Sequence, residues 1–467
     1  MAQGGRRHFV GIGGAGMSSL AAILLDRGEE LDGCDRQPTH ASTEYLRSRG
    51  VQILTGHDEA HLEHASSLVV TRPAMTTAEV LEARRRGLPV LRRAELLGTL
   101  MDERRGMAVA GTHGKTTTTA LAASMLIHSG LDPSVLVGAV PSGWNSGGRA
   151  GGGEWFLAEA DEYDRSFHTL HPEVVVLTGV DMDHPDIYPD VAAVEESFRI
   201  FLAGMPPGGR LYCSASSPRG VELGRLCGTA HGSGVQVTTY GLDDGADYYP
   251  TIRSREGGLV GFDLRTPEGV VEGLESPLPF PYNLENAVGA AAASLAAGAA
   301  EAGIREGLRC FRGVARRFER KGEAGGVVVY DDYAHHPAAV EAVLRAARDL
   351  FPAERIEVAF QPHTYSRTRA MLPEFAAALR LADRAYVLDV YAAREATDPS
   401  VAGDVLARLV GESAVYVGGV AEAGERVPGM FARDPGTVLV TMGAGDVTEL
   451  GPLVLRALGD AEGTEAG

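Results

Sequence analysis

An apolar run, Met107 to Ala110, leads into Gly111-Thr112-His113-Gly114-Lys115-Thr116-Thr117-Thr118-Thr119, and an alanine-rich helical pattern follows. Strand, glycine turn and helix in that order are the building unit of an α/β sheet. The turn's backbone N–H groups and the helix N-terminus form a cradle for phosphate. Lys115 can reach the outer phosphates, and the Thr116 hydroxyl can ligate Mg²⁺. Val109 stands where the common phosphate-loop pattern has glycine. Composition adds weight to the lysine. Lys115 and Lys321 are the only lysines in a chain that otherwise uses arginine. Arginine substitutes for lysine on a solvated surface but not where a compact point charge is needed.

The chain has 467 residues, enough for about two to four domains. Its hydrophobic fraction of 44% and charged fraction of 22% are those of a globular protein. A net charge of −19 argues against nucleic acid or an anionic membrane as partner, while leaving room for a local basic pocket. The four cysteines, Cys34, Cys213, Cys227 and Cys310, form no CxxC pair and show no metal spacing. They read as reduced thiols of a cytoplasmic protein. No apolar signal core precedes the first strand, and the longest small-apolar run, Ala287 to Ala300, is too short to span a bilayer. That run reads as a tightly packed helix.

Three α/β blocks are expected, 1–104, 105–311 and 312–467. The first starts with a strand at His8-Phe9-Val10, a glycine turn, a helix from Met17 to Arg27 and a second strand ending at Asp35, with later short runs at Ser67 to Thr71 and Leu88 to Leu91. The second alternates strands at Val135 to Val137, Trp155 to Ala158 and Val174 to Leu177 with helices, and carries a polar, β-rich insert near 235–275. The third has strands at Gly326 to Tyr330, Ile356 to Phe360, Ala385 to Leu388 and Thr437 to Thr441. Such alternation predicts parallel sheets. The polar tail, Gly459 to Gly467, is expected to fray.

Several motifs sit at predicted strand ends, where α/β proteins bind ligands. Gly11-x-Gly13-x-x-Gly16, with Asp35 after the next strand, is a dinucleotide fingerprint that fits NAD, FAD or any nucleoside diphosphate. Glu159, Asp161 and Glu162 supply hard oxygens suited to Mg²⁺. Asp181-Met182-Asp183-His184 adds a second acid and histidine cluster. Asn283 and Asn286 precede the alanine-rich run, and their amides suit an adenine edge or a helix start. Arg316 and Arg317 offer a phosphate clamp or a basic linker. His335 and His336 are candidates for proton transfer. Arg367, in the run after the strand at 356–360, can take a carboxylate.

In sequence order, these motifs resemble the Mur ligase family across essentially the whole chain. The matching segments are HFVGIGGAGMS (8–18), AGTHGKTT (110–117), EADE (159–162), DMDHPDIY (181–188), NLEN (283–286), GVARRF (313–318), DDYAHHP (331–337) and QPHTYSRT (361–368). The resemblance implies three α/β domains: a Rossmann-like UDP-sugar domain, a central ATP domain of phosphate-loop type and a Rossmann-like C-terminal domain for the amino acid. It also implies ATP and Mg²⁺ as cofactors. The ATP set would be Gly111, Thr112, His113, Gly114, Lys115, Thr116, Thr117, Asn283, Asn286 and Arg317. Thr116, Glu159 and His184 would hold metal. Gly11, Gly13, Gly14, Ala15, Gly16, Asp35, Arg72 and Asn145 would face the UDP-sugar, and His335, His363 and Arg367 the amino acid. Lys115, His184, Arg317 and His335 would carry catalysis.

Within the family, the alanine-adding branch fits best. No lysine lies between Lys115 and Lys321, so a carbamylated lysine between metals is not expected. The implied reaction is ATP-dependent ligation of L-alanine to the lactyl carboxylate of UDP-N-acetylmuramate through an acyl phosphate, in peptidoglycan precursor synthesis. The implied protein is a cytoplasmic monomer or homodimer. The chain departs from the family pattern at Tyr282, Tyr163, Arg165, Thr364, Glu341 and Cys34.

Overall fold

The computed structural model describes every residue except 1–4, 37–40, 185–186, 231, 233, 257, 394, 432–435 and 466–467. The chain forms two compact units, Met1–Met182 with Asp190–Val314, and Asp183–Pro189 with Ala315–Gly467. Among the described residues, the first unit holds two mainly parallel sheets and a small antiparallel one, and the second holds one sheet.

The N-terminal sheet is all parallel, in the order Ile53–Thr55, Leu31–Asp35, Arg6–Val10, Ala65–Val70, Val90–Arg92. Strand order reverses beside Arg6–Val10. The glycine turn leaves that strand and opens the helix Ala15–Asp26, so it lies at the switch point where such sheets bind ligands. Phe9, Val10 and Leu20 to Leu24 are fully buried. These side chains hold helix against sheet by burial of apolar surface.

The central sheet runs Gln236–Tyr240, Arg210–Ser214, Val174–Leu177, Arg105–Ala110, Trp155–Ala160, Ser134–Leu136, Gly148–Arg149, parallel except for its last pair. Arg105–Ala110 lies between Trp155–Ala160 and Val174–Leu177. The phosphate loop, the Glu159 to Glu162 run and the Thr178 to Met182 loop therefore leave three adjacent strands on one side. Trp155–Ala160 extends two residues past its apolar run, because Glu159 inside it finds donors in the Gly138 N–H at 2.8 Å and the Thr116 hydroxyl at 3.1 Å. The alanine-rich helix is Pro281–Ala296, shorter at its end than the apolar run, and it packs with Lys115–His128 in the central core.

The insert is β-rich as expected, but one of its faces is buried rather than polar. Gln236–Tyr240 joins the main sheet, and Tyr249–Glu256, Leu259–Thr266 and Gly269–Ser276 form an antiparallel sheet. Val260, Phe262 and Leu264 alternate onto one face and join the central core. A half-polar composition hid a buried face of period two.

The sheet of the second unit runs Glu319–Ala324, Val327–Asp332, Thr437–Met442, Arg355–Phe360, Arg384–Leu388, Ala414–Gly418, with only its first pair antiparallel. Ile356, Val358, Val438 and Val440 face one core, while Val329, Ala359 and Leu439 face another. Burial on both faces is what continuous apolar strands require. The last helix, Leu450–Glu465, starts with buried Leu450 and Val454 and takes in most of the tail expected to fray, while 466–467 lie outside the described residues.

Candidate active site

The phosphate loop ends at Gly114, the N-cap of Lys115–His128, with φ of 82°. Gly111 is also left-handed, with φ of 136°. A Cβ on Gly114 would lie 2.6 Å from Asn286 Oδ1. The loop thus needs glycine for both conformation and space, and Asn286 lies directly against it. Asn286 donates from its amide to Asn283 Oδ1 at 3.4 Å, and both are buried. Substituting Gly114→Ala is expected to cost about 1–2 kcal/mol in backbone strain alone and, on the resemblance's assignment of this loop to ATP, to raise the KM for ATP about tenfold or more. Steady-state kinetics with varied ATP measure this. Adding Asn286→Ala would relieve the contact but leave the strain.

Lys115 Nζ lies 2.7 Å from Glu162 Oε2 and donates to the Gly111 carbonyl at 2.6 Å. Burial opposes its charge, but the Glu162, Asp161 and Glu159 carboxylates win and hold the ammonium above its ordinary range. Glu162 is pushed upward by burial, against the pull of Lys115. Thr116 Oγ1 donates to Glu159 Oε1 at 3.1 Å. Ligand oxygens of an octahedral Mg²⁺ lie about 2.9 Å apart, given bonds of about 2.0–2.1 Å. This hydroxyl and carboxylate thus fit as neighbouring ligands of such an ion. Thr112 accepts the Asp181 N–H at 2.9 Å, and the His113 carbonyl accepts the Thr178 hydroxyl. Thr117 is buried in the first helical turn. In the sequence, Glu162 is only one of three carboxylates in its run. Its pairing with Lys115 depends on strand adjacency, which no local pattern shows.

At the first glycine turn, Gly13 N–H donates to Asp35 Oδ2 at 2.8 Å. Gly11 N–H donates to the Cys34 carbonyl, also at 2.8 Å. Gly14 caps the helix that Ala15 and Gly16 begin. Arg72 forms an ion pair with Asp164, whose backbone is left-handed like that of Arg165. Asn145 is exposed in a bend.

In the second unit, Arg367 and Asp183 form a buried ion pair at 2.8 Å, with side-chain exposures of 6% and 8%. In the sequence, nothing sets Asp183 apart from the other acids of its motif. His184 follows it, 3.7 Å from Asp183 Oδ2. His335 Nδ1 donates to the Tyr333 carbonyl at 2.8 Å, the tautomer that leaves Nε2 as an acceptor. Its ring meets His363 edge to face at 5.8 Å, and His363 stacks on Tyr391. Among the described residues, Arg367 Nε and His363 Nδ1 are buried polar atoms without a hydrogen-bond partner. Arg316 and Arg317 lie over the Tyr333 ring at 5.0 and 5.3 Å.

Burial and Arg367 lower the pKa of His335 well below the usual imidazole range and bring His363 down to about 4. A histidine depressed in the fold stabilises it above its unfolded pKa near 6.5. That stability is lost as pH falls from there toward the folded value. From about pH 7.5 to about pH 5, His363→Gln is expected to lose on the order of 2 kcal/mol less stability than the parent. Urea titrations at the two pH values measure the difference.

Three family descriptions match successive stretches of the chain: Mur ligase family, catalytic domain, at 6–105; Mur ligase middle domain at 109–294; and Mur ligase, glutamate ligase domain, at 316–445. A UDP-N-acetylmuramate–L-alanine ligase from Kineococcus radiotolerans is 44% identical, covering 98% of this chain and 97% of its own. One of the same name from Thermobifida fusca is 41% identical, with 97% of each covered. The crystal structure of a UDP-N-acetylmuramate-alanine ligase from Thermotoga maritima superposes with a TM-score of 0.80 at 26% identity, covering 98% of this chain and 99% of that one.

Proposed function

We infer that this chain, which belongs to the Mur ligase family, joins L-alanine to the lactyl carboxylate of UDP-N-acetylmuramate at the expense of ATP, in peptidoglycan precursor synthesis. The observation that carries the reading is the phosphate loop, where Lys115, Thr116 and Glu159 converge at the ends of adjacent strands. The second unit holds another set, Arg367 Nε and His363 Nδ1, whose open buried hydrogen-bonding atoms suit an amino acid. The proposed division is 1–104 for the UDP-sugar, 105–311 for ATP and 312–467 for the amino acid. The proposed setting is the cytoplasm, as monomer or homodimer. Among the described residues, no helix is long and apolar enough to cross a membrane.

The lactyl carboxylate attacks the γ-phosphorus of ATP, and ADP leaves. An acyl phosphate results. The amine of L-alanine adds to the activated carbonyl, and the tetrahedral intermediate expels phosphate to leave an amide. Two anions must meet in the first step. Lys115 exchanges Glu162 for the β- and γ-phosphates and offsets the charge gathering there. The loop N–H groups and Thr117 at the helix start hold the phosphate chain. Thr116 and Glu159 would hold Mg²⁺, with His184 at a second ion, and the metal would supply neutralisation of the phosphate charge. Asn283 and Asn286 take the nucleotide, and Arg317 adds a cation.

Arg367 receives the alanine carboxylate through Nε. His335, neutral at physiological pH, is too weak a base for a free ammonium. It suits the far more acidic ammonium of the tetrahedral intermediate, whose proton its Nε2 accepts. The glycine turn, with Gly11, Gly13, Gly14, Ala15 and Gly16, holds the UDP pyrophosphate, Asp35 a ribose hydroxyl, and Arg72 and Asn145 the remainder.

Phosphate release from Mg·ATP and UDP-N-acetylmuramate tests the reading, with L-alanine or murein tripeptide as amine. Release dependent on L-alanine supports it. Release with tripeptide alone would assign the chain to the recycling reaction, and none with either would remove the proposal.

A further inference from the structure

A separate cluster of ligating atoms lies within the N-terminal sheet and its helices. His8 stands opposite Asp32 in the register of neighbouring strands, and its Nδ1 meets Asp32 Oδ1 at 2.8 Å. That contact makes Nδ1 the donor and leaves Nε2 as a lone pair, 3.3 Å from Cys34 Sγ. Cys34 Sγ lies 3.1 Å from Glu79 Oε1. Glu79, in the first turn of the helix Ala78–Arg86, also meets His57 Nδ1 at 3.2 Å and His61 Nδ1 at 3.1 Å. One ligand atom from each of His8, Cys34, His61 and Glu79 lies within 4.8 Å of the other three.

Hydrogen bonding alone accounts poorly for this arrangement. A carboxylate oxygen has two lone pairs. Glu79 Oε1 is approached by a thiol, two imidazoles and the Asp58 N–H at 3.0 Å. Its Oε2 is buried. The spacings instead match a coordination shell. Zinc bonds of about 2.0–2.1 Å to nitrogen and oxygen and about 2.3 Å to sulfur give tetrahedral edges of about 3.3–3.6 Å. Among the four, the contacts are 3.1 Å from Cys34 Sγ to Glu79 Oε1, 3.1 Å from Glu79 Oε1 to His61 Nδ1 and 3.3 Å from His8 Nε2 to Cys34 Sγ, each within about half an ångström of such an edge. A thiolate and a carboxylate would cancel a dication's charge where His8, Cys34 and Glu79 are fully buried. Sulfur and imidazole donors select zinc over Mg²⁺. Asp32 behind His8 is the outer carboxylate that orients a zinc-bound histidine.

We propose that the N-terminal domain binds one structural Zn²⁺ through His8 Nε2, Cys34 Sγ, His61 Nδ1 and Glu79 Oε1, with Asp32 positioning His8. Four protein ligands leave no open position, so the ion braces the fold. It ties two strands, the short helix Glu59–Leu62 and the helix Ala78–Arg86. The Cys34 carbonyl also accepts the N–H groups of Gly11 at 2.8 Å and Ile12 at 3.1 Å, so the brace sits under the glycine turn. Cysteine spacing missed the cluster because its ligands come from four elements.

The test uses the full chain in metal-free buffer and needs no turnover. Elemental analysis is expected to find about one zinc per chain. Cobalt exchanged into the site should give tetrahedral d–d bands with a thiolate-to-cobalt charge-transfer band. Cys34→Ser should abolish the charge-transfer band, and Asp32→Asn should weaken zinc binding about 10–100-fold. A parent protein that retains no zinc and gives only a six-coordinate cobalt spectrum would overturn the proposal. So would zinc retained undiminished by His61→Ala. If Cys34→Ser does not fold, the parent's cobalt spectrum decides alone.

Discussion

Lys115→Ala is expected to lower kcat for phosphate release by about 10³-fold or more, the scale of losing a preorganised charge at a developing oxyanion. Lys115→Arg should recover little, because a planar guanidinium cannot replace a compact ammonium in a turn closed by Gly111 and Gly114. Loss of activity through misfolding is separable from loss of chemistry. Removing the lysine alone strands Glu162, which is 2% exposed. Lys115→Ala combined with Glu162→Gln removes that stranded charge, so it should regain thermal stability and remain inactive. Activity returning with stability would make the ion pair structural and displace Lys115 from the chemistry.

Arg367→Ala is the second large effect. The Arg367–Asp183 pair is buried at both ends, and removing one partner leaves an uncompensated charge. That costs about 3–5 kcal/mol, readable as a fall in the urea midpoint. The KM for L-alanine should rise about tenfold or more as the carboxylate contact is lost. Pairing Arg367→Ala with Asp183→Asn removes the stranded charge. Stability should return while the KM for L-alanine stays high. If both recover, Arg367 serves only to hold Asp183.

The legible and illegible parts of this fold divide by how local their causes are. The strand Val174–Leu177 is a bare apolar run between polar neighbours and is found at those residues. The phosphate loop is legible because glycines, one of two lysines and a hydroxyl row follow an apolar strand without interruption. The Lys115–Glu162 contact is not, since it arises only when Arg105–Ala110 and Trp155–Ala160 pair side by side. The antiparallel insert looks polar because each strand gives half its residues to solvent, and Phe262 and Leu264 reveal the buried half only in register. His8, Cys34, His61 and Glu79 meet for the same reason, through strand pairing and a helix start that spacing does not encode.

The central claim is amide formation through an acyl phosphate, and isotope transfer tests it most directly. UDP-N-acetylmuramate carrying a heavy oxygen isotope in its lactyl carboxylate would be turned over with Mg·ATP and L-alanine, and the phosphate and product weighed by mass spectrometry. The expected result is one heavy oxygen in the released phosphate for each alanyl amide formed. An amide formed with unlabelled phosphate, or phosphate released without an amide, would contradict the account.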